Sequence, residues 1–214
     1  MMQLTIRDLL PVYFEEERKK RSEIWGKEIV FQRGELTKII APSGSGKTSL
    51  MHFLYGIRRE YTGDILYDQQ SLRTIDPETL SGFRSSQVSI VFQDMRLLPE
   101  QTVMENLEIK RQLNPYHNED KVRQMAERLG VGSKLASLGR TCSYGEQQRI
   151  AIIRSLMQPF DFLLLDEPFS HLDNRNAEKA MELMLEEAAV RGASIIFADL
   201  ERIDFFPFPR LFYL

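Results

Sequence analysis

The chain has 214 residues and a formal net charge of −3, which fits one compact domain and gives no bulk sign of nucleic-acid binding. Its only cysteine, Cys142, excludes an internal disulfide. No run approaches the ~18 apolar residues that span a bilayer, and residues 1–7 lack the apolar core of a signal peptide. We therefore expect no direct membrane span, so that any membrane role comes through a partner.

Short strands come first along the chain. Alternating patterns predict strands at 2–6, 27–31 and 64–68. The run Leu36–Ile40 predicts a buried strand, which is followed by a Gly/Ser loop and a helix over 48–55. Near-continuous apolar runs at 89–92, 162–165 and 194–198 predict parallel strands that are covered on both faces.

Helical periodicity occurs in two stretches. Apolar residues repeat at i, i+3, i+4 and i+7 from Val122 to Leu129, with Gly130 suited to end the helix, and a second stripe ends at Gly192. We interpret both stripes as core packing. A helical insertion at about residues 95–158 is expected to interrupt an α/β core.

The strongest motif is APSGSGKT at residues 41–48, between a predicted strand and a predicted helix. Gly44 and Gly46 let successive N–H groups point inward, where they favour a polyphosphate. Lys47 supplies charge for the β- and γ-phosphates, and the Thr48 hydroxyl can ligate Mg²⁺. We therefore predict ATP and Mg²⁺ as ligands, with contacts from Ser43, Gly44, Ser45, Gly46, Lys47, Thr48 and Ser49.

The first position of this loop is usually glycine, and here it is Ala41. Alanine is tolerated there if its φ stays negative. The alternative interpretation is a Gly/Ser linker with a chance lysine, which the flanking strand and helix disfavour.

Two acids follow the buried run at 162–165. Ligands bind at the carboxyl ends of parallel strands, so Asp166 and Glu167 are expected beside the phosphate loop. Asp166 suits the Mg²⁺ shell, and Glu167 could accept a proton from an attacking water. The alternative is a surface turn that merely ends a core strand.

With these two motifs, the chain resembles the ATP-binding subunits of ABC (ATP-binding-cassette) transporters along nearly its whole length. Residues 91–94, VFQD, look like the family's Q-loop, which implies that Gln93 contacts Mg²⁺ or the attacking water. Residues 170–173, SHLD, look like the D-loop, which implies that Asp173 lies near the nucleotide. Residues 93–107 look closest to the lipoprotein-release, macrolide-efflux and cell-division branch.

Residues 142–149, CSYGEQQR, look like the family's signature, which usually begins Leu-Ser-Gly-Gly. Ser143 and Glu146 have the spacing of a capping box that opens a helix. The resemblance implies that Ser143 and Gly145 reach the γ-phosphate held by a second protomer.

The chain departs from the family at two places. In the signature, Cys142 and Tyr144 replace leucine and glycine, which puts bulk near the dimer seam. The family's switch histidine follows the last core strand, and we assign that position to Ala198, which has no imidazole. The sequence places neither His52 nor His117 to substitute for it.

Aromatic residues raise two further expectations. The adenine base usually stacks on an aromatic ahead of the phosphate loop, and Tyr13 is the first candidate and Phe14 the second. The alternative is that Tyr13 is an ordinary core residue. The aromatic tail at 205–213 is interpreted as a final strand on the core, with a subunit contact as the alternative.

The resemblance implies an α/β fold: a P-loop NTPase core with a mostly parallel sheet, an N-terminal antiparallel β subdomain and an inserted helical subdomain. The expected layout is a single ABC ATPase domain over 1–214. Residues 1–94 and 159–214 form the core with the β subdomain, and 95–158 form the helical subdomain.

The expected activity is ATP hydrolysis by two cassettes that close head to tail and drive membrane-spanning permease subunits. The expected location is the cytoplasmic face of the inner or plasma membrane. The second protomer is either another copy or a different ATPase. The departures at Tyr144 and Ala198 leave an alternative open, a slow or inactive nucleotide-gated clamp that pairs with an intact ATPase. The transported substrate is not specified by this chain.

Overall fold

The computed structural model describes residues 3–13, 21–200, 206 and 208–214 of the chain. Its strands are β1 (Gln3–Pro11), β2 (Glu28–Gln32), β3 (Leu36–Ile40), β4 (Tyr61–Tyr67), β5 (Gln70–Ser71), β6 (Val88–Val91), β7 (Phe162–Asp166), β8 (Ser194–Asp199) and β9 (Arg210–Tyr213). Its helices are α1 (Lys47–Leu54), α2 (Pro77–Ser86), α3 (Val103–Leu113), α4 (Glu119–Arg128), α5 (Tyr144–Ser155) and α6 (Asn174–Arg191). One parallel and one antiparallel sheet are present, so the predicted α/β class is confirmed.

The antiparallel sheet has the strand order β2-β1-β4-β5 and contains the three short strands that were predicted first. Met2 of the first predicted strand lies outside the described residues. Strand β1 continues to Pro11, beyond the predicted end, because it shifts register after Arg7 and pairs again with the start of β4.

The parallel sheet has the order β6-β7-β8-β3-β9. Every residue of β6, β7 and β8 is buried, as the continuous apolar runs predict for strands that are covered on both faces. Leu163 and Leu165 pack with apolar residues of α5 and α6, whereas Leu164 packs with those of α1 and the antiparallel sheet. Since β8 lies between β3 and β7, the carboxyl ends of these three strands meet at one edge.

Helices α3, α4 and α5 lie between β6 and β7 in the chain, where the helical insertion was predicted. Gly130 and Gly192 have left-handed φ angles of 69° and 59° after α4 and α6, as expected for helix ends. Helix α2 was not predicted, because Leu80 is its only buried residue and so it has no apolar stripe. None of the helices in the described part of the chain is long and apolar enough to cross a bilayer.

The tail forms a last strand, as its first interpretation predicts. β9 pairs with β3 in parallel, and the Phe208 ring lies 5.5 Å from the Phe197 ring, centroid to centroid. Phe205 and Pro207 lie outside the described residues. The alternative role of the tail in a subunit contact stays a prediction.

Gly63 provides a test of how β1 and β4 pair. It has a φ of 79°, and a Cβ at this position would overlap the backbone carbonyl oxygens of Arg7 and Asp8 at the register shift. We expect Gly63→Ala to lower the free energy of unfolding by about 2 kcal/mol or more, measured by urea unfolding.

The matched control is Gly82→Ala, in an exposed position inside α2 where an added Cβ meets nothing within 4 Å. This change should stabilise the protein by about 0.5–1 kcal/mol, because alanine favours helix. Equal effects of the two substitutions would show that β1 and β4 do not approach closely at Gly63.

Candidate functional site

The phosphate loop connects the end of β3 to the start of α1. Gly44 and Gly46 have φ angles of 76° and 102°, as the predicted turn of the backbone requires. A Cβ on Gly46 would come within 3.1 Å of the Trp25 ring, so glycine is also needed there for space. Ala41 does not have a positive φ, which explains why alanine is tolerated at that position.

Lys47 is 4% exposed and is held by three oxygen atoms. Its Nζ donates to the carbonyl oxygens of Ala41, at 2.9 Å, and Pro42, at 3.0 Å. The same atom lies 3.1 Å from Oε1 of Glu167, with which it forms an ion pair. The structure thus joins the phosphate loop to the acid at the end of β7, as the sequence predicts.

The three residues that were predicted to hold Mg²⁺ come together. The Thr48 hydroxyl lies 3.1 Å from Oε1 of Gln93 and 3.3 Å from Oδ1 of Asp166. Gln93 also reaches Glu167, because its Nε2 donates to Oε2 of that residue at 3.2 Å. A hydroxyl, an amide oxygen and a carboxylate are oxygen ligands of the kind that Mg²⁺ prefers.

Asp166 is a buried carboxyl group with a raised pKa. Burial raises its pKa to about 6, the hydrogen bond from Thr48 opposes that rise, and the Glu167 charge adds to it. Its Oδ2 is buried without a hydrogen-bond partner among the described residues. A buried, unpartnered carboxylate oxygen beside two further oxygen donors fits a divalent cation.

His52 lies closer to this site than the sequence suggested. It lines a cavity of about 180 Å³ together with Thr48, Gln93, Asp94 and Asp166. Burial lowers the pKa of His52, and the Arg96 charge lowers it further. The sequence analysis did not assign His52 to the site, and its absence from the position of the switch histidine stays a prediction. One cue was available: His52 follows Thr48 by one helical turn on α1.

His117, by contrast, belongs to a different cluster. Its Nε2 lies 2.7 Å from Oε2 of Glu187 and 3.1 Å from Nη2 of Arg191. The prediction that it does not replace the switch histidine agrees with this placement.

Glu167 has an unusual backbone. Its φ is 46°, in the left-handed region that non-glycine residues rarely adopt. Its N–H donates to the carbonyl of Ala198 at 3.0 Å, and its own carbonyl accepts from Nε2 of Gln148 at 3.3 Å. Sequence reasoning missed both the strain and Gln148, because neither leaves a local signal.

The predicted capping box at the start of α5 is confirmed. The Ser143 hydroxyl accepts from the backbone N–H of Glu146, whose carboxylate accepts from the N–H of Ser143. Asp173 caps α6 by accepting the N–H of Asn176 at 2.8 Å. Contacts of Ser143, Gly145 and Asp173 with a nucleotide stay a prediction.

The departure at Tyr144 is in contact with the segment that looks like the D-loop. Tyr144 is 68% exposed, and its ring lies 5.3 Å from the His171 ring, tilted by 33°. Gly145 approaches the same loop so closely that a Cβ would come within 3.0 Å of the His171 carbonyl oxygen. The signature and the D-loop therefore form one packed surface.

Tyr13 lies next to the phosphate-loop helix. Its hydroxyl is 2.8 Å from the Ser49 hydroxyl, and its ring is exposed and available for stacking. The second candidate, Phe14, lies outside the described residues. A cavity of about 310 Å³ beside the loop is lined by Arg21, Trp25, Pro42, Ser43, Gly44, Ser45 and Leu214. No motif in the sequence indicates that Arg21, Trp25 or Leu214 lies beside the loop.

The assignment of Ala198 to a position after the last core strand is wrong. β8 continues through Asp199, and Ala198 is paired within the sheet to Ile39 on one side and Asp166 on the other. Ala198 is 0% exposed and packs in the core. The first residue beyond the strand is Leu200, which is 43% exposed. No histidine stands at Ala198, Asp199 or Leu200, so the sequence lacks the switch histidine whichever of these residues takes its place.

Comparisons with known proteins agree on one family. The sequence profile of a family described as ABC transporter matches residues 27–170. The chain is 34% identical to the lipoprotein-releasing system ATP-binding protein LolD of Syntrophotalea carbinolica, over 76% of this chain and 73% of that protein. It is 32% identical to the ABC transporter ATP-binding protein YbbA of Escherichia coli, over 82% of this chain and 78% of that protein.

Solved structures show the same fold. The dimeric structure of MJ0796, a bacterial ABC transporter cassette, superposes with a TM-score of 0.83 at 23% identity, over 99% of this chain and 94% of that chain. A post-hydrolysis state of MJ0796 bound to ADP and Pi gives a TM-score of 0.79 at 25% identity, with the same coverage.

The buried position of Ala198 leads to a stability prediction. Ala198→His would force an imidazole into the packed core on one face of the sheet, and we expect it to lower the free energy of unfolding by about 3 kcal/mol. Leu200→His, at the exposed position two residues on, should change it by less than about 0.5 kcal/mol. Urea unfolding of both variants tests this, and a well-tolerated Ala198→His would contradict the burial.

The buried carboxyl of Asp199 predicts a pH dependence. Burial raises its pKa to about 6, the N–H of Leu200 opposes that rise, and the Glu167 charge adds to it. Because the folded protein holds this proton more tightly than the unfolded chain, the carboxyl stabilises the fold below about pH 4. That contribution is lost as the pH rises through about 6.

Asp199→Asn removes the titration and keeps the oxygen that accepts the N–H of Leu200. Relative to the unmodified protein, the variant should gain about 2 kcal/mol of unfolding free energy between pH 4 and pH 7. Parallel pH profiles for the Asp199 variant and the unmodified protein would show that this carboxyl is not buried.

Proposed function

Because this chain belongs to the ABC transporter family of ATP-binding cassettes, we propose that it binds Mg-ATP and hydrolyses it to drive membrane-spanning partner subunits. One observation carries the proposal. Hydrogen bonds and one ion pair join the phosphate loop to the acids at the end of β7 in a continuous network. The network consists of Lys47, Thr48, Gln93, Asp166 and Glu167.

Thr48, Gln93 and Asp166 would hold Mg²⁺ through their oxygen atoms. When bound, Mg²⁺ neutralises charge on the β- and γ-phosphate oxygens. The unpartnered Oδ2 of Asp166 supports this assignment, because a cation would compensate the cost of its burial. Ser43, Gly44, Ser45, Gly46 and Ser49 surround the phosphates from the loop and the first turn of α1, and Tyr13 stacks on the adenine.

In this proposal Lys47 changes partner when ATP binds. A phosphate oxygen is a strong charge-assisted partner for an ammonium group. Transfer of Lys47 from Glu167 to the γ-phosphate leaves the carboxylate free to accept a proton from the attacking water. Gln93, whose Nε2 lies 3.2 Å from Oε2 of Glu167, is placed to orient that water. ATP binding thus converts an ion-paired acid into a general base.

Two cassettes would close head to tail, so that Ser143, Gly145 and Asp173 of one protomer complete the nucleotide site of the other. The start of a capped helix suits a γ-phosphate, since its free N–H groups and dipole favour negative charge. The dimeric ADP and Pi complex of the similar MJ0796 cassette supports such a pair. The second cassette is another copy or a related chain.

The partner subunits are proposed to be permeases at the cytoplasmic face of the membrane. The likeness to the lipoprotein-releasing protein LolD supports a place in that branch of the family. We propose one ABC ATPase domain over residues 1–214, with 95–158 as the helical subdomain and the remainder as the core with its β subdomain. Turnover is proposed to be slow, because no imidazole stands at Ala198, Asp199 or Leu200.

The test is ATP turnover by the full chain, alone and with its membrane subunits. Glu167→Gln should reduce turnover by roughly a hundredfold or more, because the amide cannot accept the proton. Glu178→Gln, at an exposed acid of α6, is the matched control and should keep normal turnover. If the unmodified protein turns over no faster than Glu167→Gln, the ATPase proposal fails and the nucleotide-gated clamp is supported.

The same variant tests dimer closure. With hydrolysis blocked, Glu167→Gln should form a dimer in saturating Mg-ATP and remain a monomer without nucleotide, as measured by light scattering. A monomer under both conditions would contradict a homodimer and would favour a different ATPase as the partner.

A further inference from the structure

Gln148 connects the signature helix to the loop that carries Glu167. It lies on α5, is 0% exposed, and uses its whole amide group on that loop. Its Nε2 donates to the carbonyl of Glu167 at 3.3 Å and to the hydroxyl of Ser170 at 3.1 Å. Its Oε1 accepts the backbone N–H of His171 at 2.8 Å. A buried amide with three partners fixes the relative position of the two segments.

The contact with Glu167 holds a strained backbone. A non-glycine residue at a φ of 46° persists only when its surroundings determine its conformation. Here the N–H of Glu167 donates to Ala198, in the sheet, and its carbonyl accepts from Gln148, on the signature helix, and from the N–H of Ser170 in its own loop. The backbone of Glu167 is therefore held by α5 as well as by the sheet and by its own loop.

The adjacent glutamine does not share this role. Gln147 donates through Nε2 to the carbonyl of Cys142, at 2.8 Å, just ahead of its own helix. Further packing couples α5 to the same loop, because Gly145 closely approaches the His171 carbonyl and Tyr144 lies against the His171 ring. The start of α5 is thus in direct contact with the segment from Glu167 to His171.

We propose that Gln148 is a positioning residue for Glu167 and links the two nucleotide sites of the closed dimer. The inference rests on the proposed function, in which Ser143 and Gly145 contact the nucleotide in the partner's site. When Ser143 and Gly145 of one protomer contact the γ-phosphate in the partner's site, Gln148 of the same protomer positions the backbone of Glu167 in that protomer's own nucleotide site. Each site is then competent only when the other is filled, which makes turnover cooperative in ATP.

Gln148→Met tests the link in the full chain, because methionine keeps the length and volume of the side chain but forms none of the three hydrogen bonds. We expect kcat to fall roughly 10- to 100-fold, since misplacement of a general base has an effect of that size. The KM for ATP should stay within about twofold, because the phosphate loop is untouched, and the Hill coefficient should fall toward 1. Gln147→Met is the matched control and should leave all three quantities unchanged.

A purely structural role would not separate kcat from KM or change the Hill coefficient. If Gln148→Met does not fold, as judged by thermal unfolding, Ser170→Ala removes one acceptor at an exposed position. It should lower kcat about threefold at constant KM.

The outcomes separate this inference from the proposed function. In one outcome, the unmodified protein turns over ATP and Gln148→Met, or Ser170→Ala if that variant replaces it, has the same kcat and Hill coefficient. That result would overturn only the positioning role. Equal losses in Gln147→Met would also overturn it. No turnover by the unmodified protein, under conditions in which ATP binds, would overturn the proposed function and this inference with it.

Discussion

The arrangement of the site depends on one buried ion pair, between Lys47 and Glu167. A buried ammonium group is costly unless oxygen atoms surround it, and here two loop carbonyls and one carboxylate do so. The pair forms because β8 lies between β3 and β7, which brings the phosphate loop and the acids to one edge of the sheet. Removal of either partner would leave the charge of the other buried without its counter-ion. The ion pair therefore holds the phosphate loop against the edge of the sheet, and it fixes the carboxylate to which Gln93 donates.

The same pair makes the site responsive to a ligand. Glu167 is held by Lys47 through its side chain, and by Ala198 and Gln148 through its backbone. In the proposed function, a phosphate that competes for Lys47 acts on the side chain of Glu167, and the contact with α5 acts on its backbone. Nucleotide binding and the packing of the signature helix would therefore act on the same residue through different contacts.

The sequence predicted those parts of the site that are local in the chain. Lys47 and Thr48 follow from one eight-residue motif, and the positions of Asp166 and Glu167 follow from a buried run that ends in acids. What it missed depends on packing between distant segments. Gln148 reaches Glu167 across 19 positions, and Trp25 lies against Gly46 because it packs in the same core as β3 and α1, which flank the phosphate loop.

The wrong position for the switch residue has the same origin. The apolar run at 194–198 predicts a strand that ends at Ala198, and the switch position was assigned to this residue at the end of the run. The strand ends later because its length is set by pairing with Ile39 and Asp166 on its two neighbours, which periodicity along one segment does not reveal. Helix α2 was missed for a related reason, since it buries only Leu80 and leaves little pattern to detect.

Tyr144 and His171 are 27 positions apart in the sequence and form one contact in the structure. Gly145 closely approaches the His171 carbonyl, so that a Cβ there would come within 3.0 Å of its oxygen. The Tyr144 ring stays largely exposed beside the histidine. If the cassettes pair as proposed, the pair of Tyr144 and His171 adds an aromatic side chain where the family's signature has glycine. The partner must then offer room for that pair, which constrains the choice between a second copy and a different cassette more directly than the phosphate loop does.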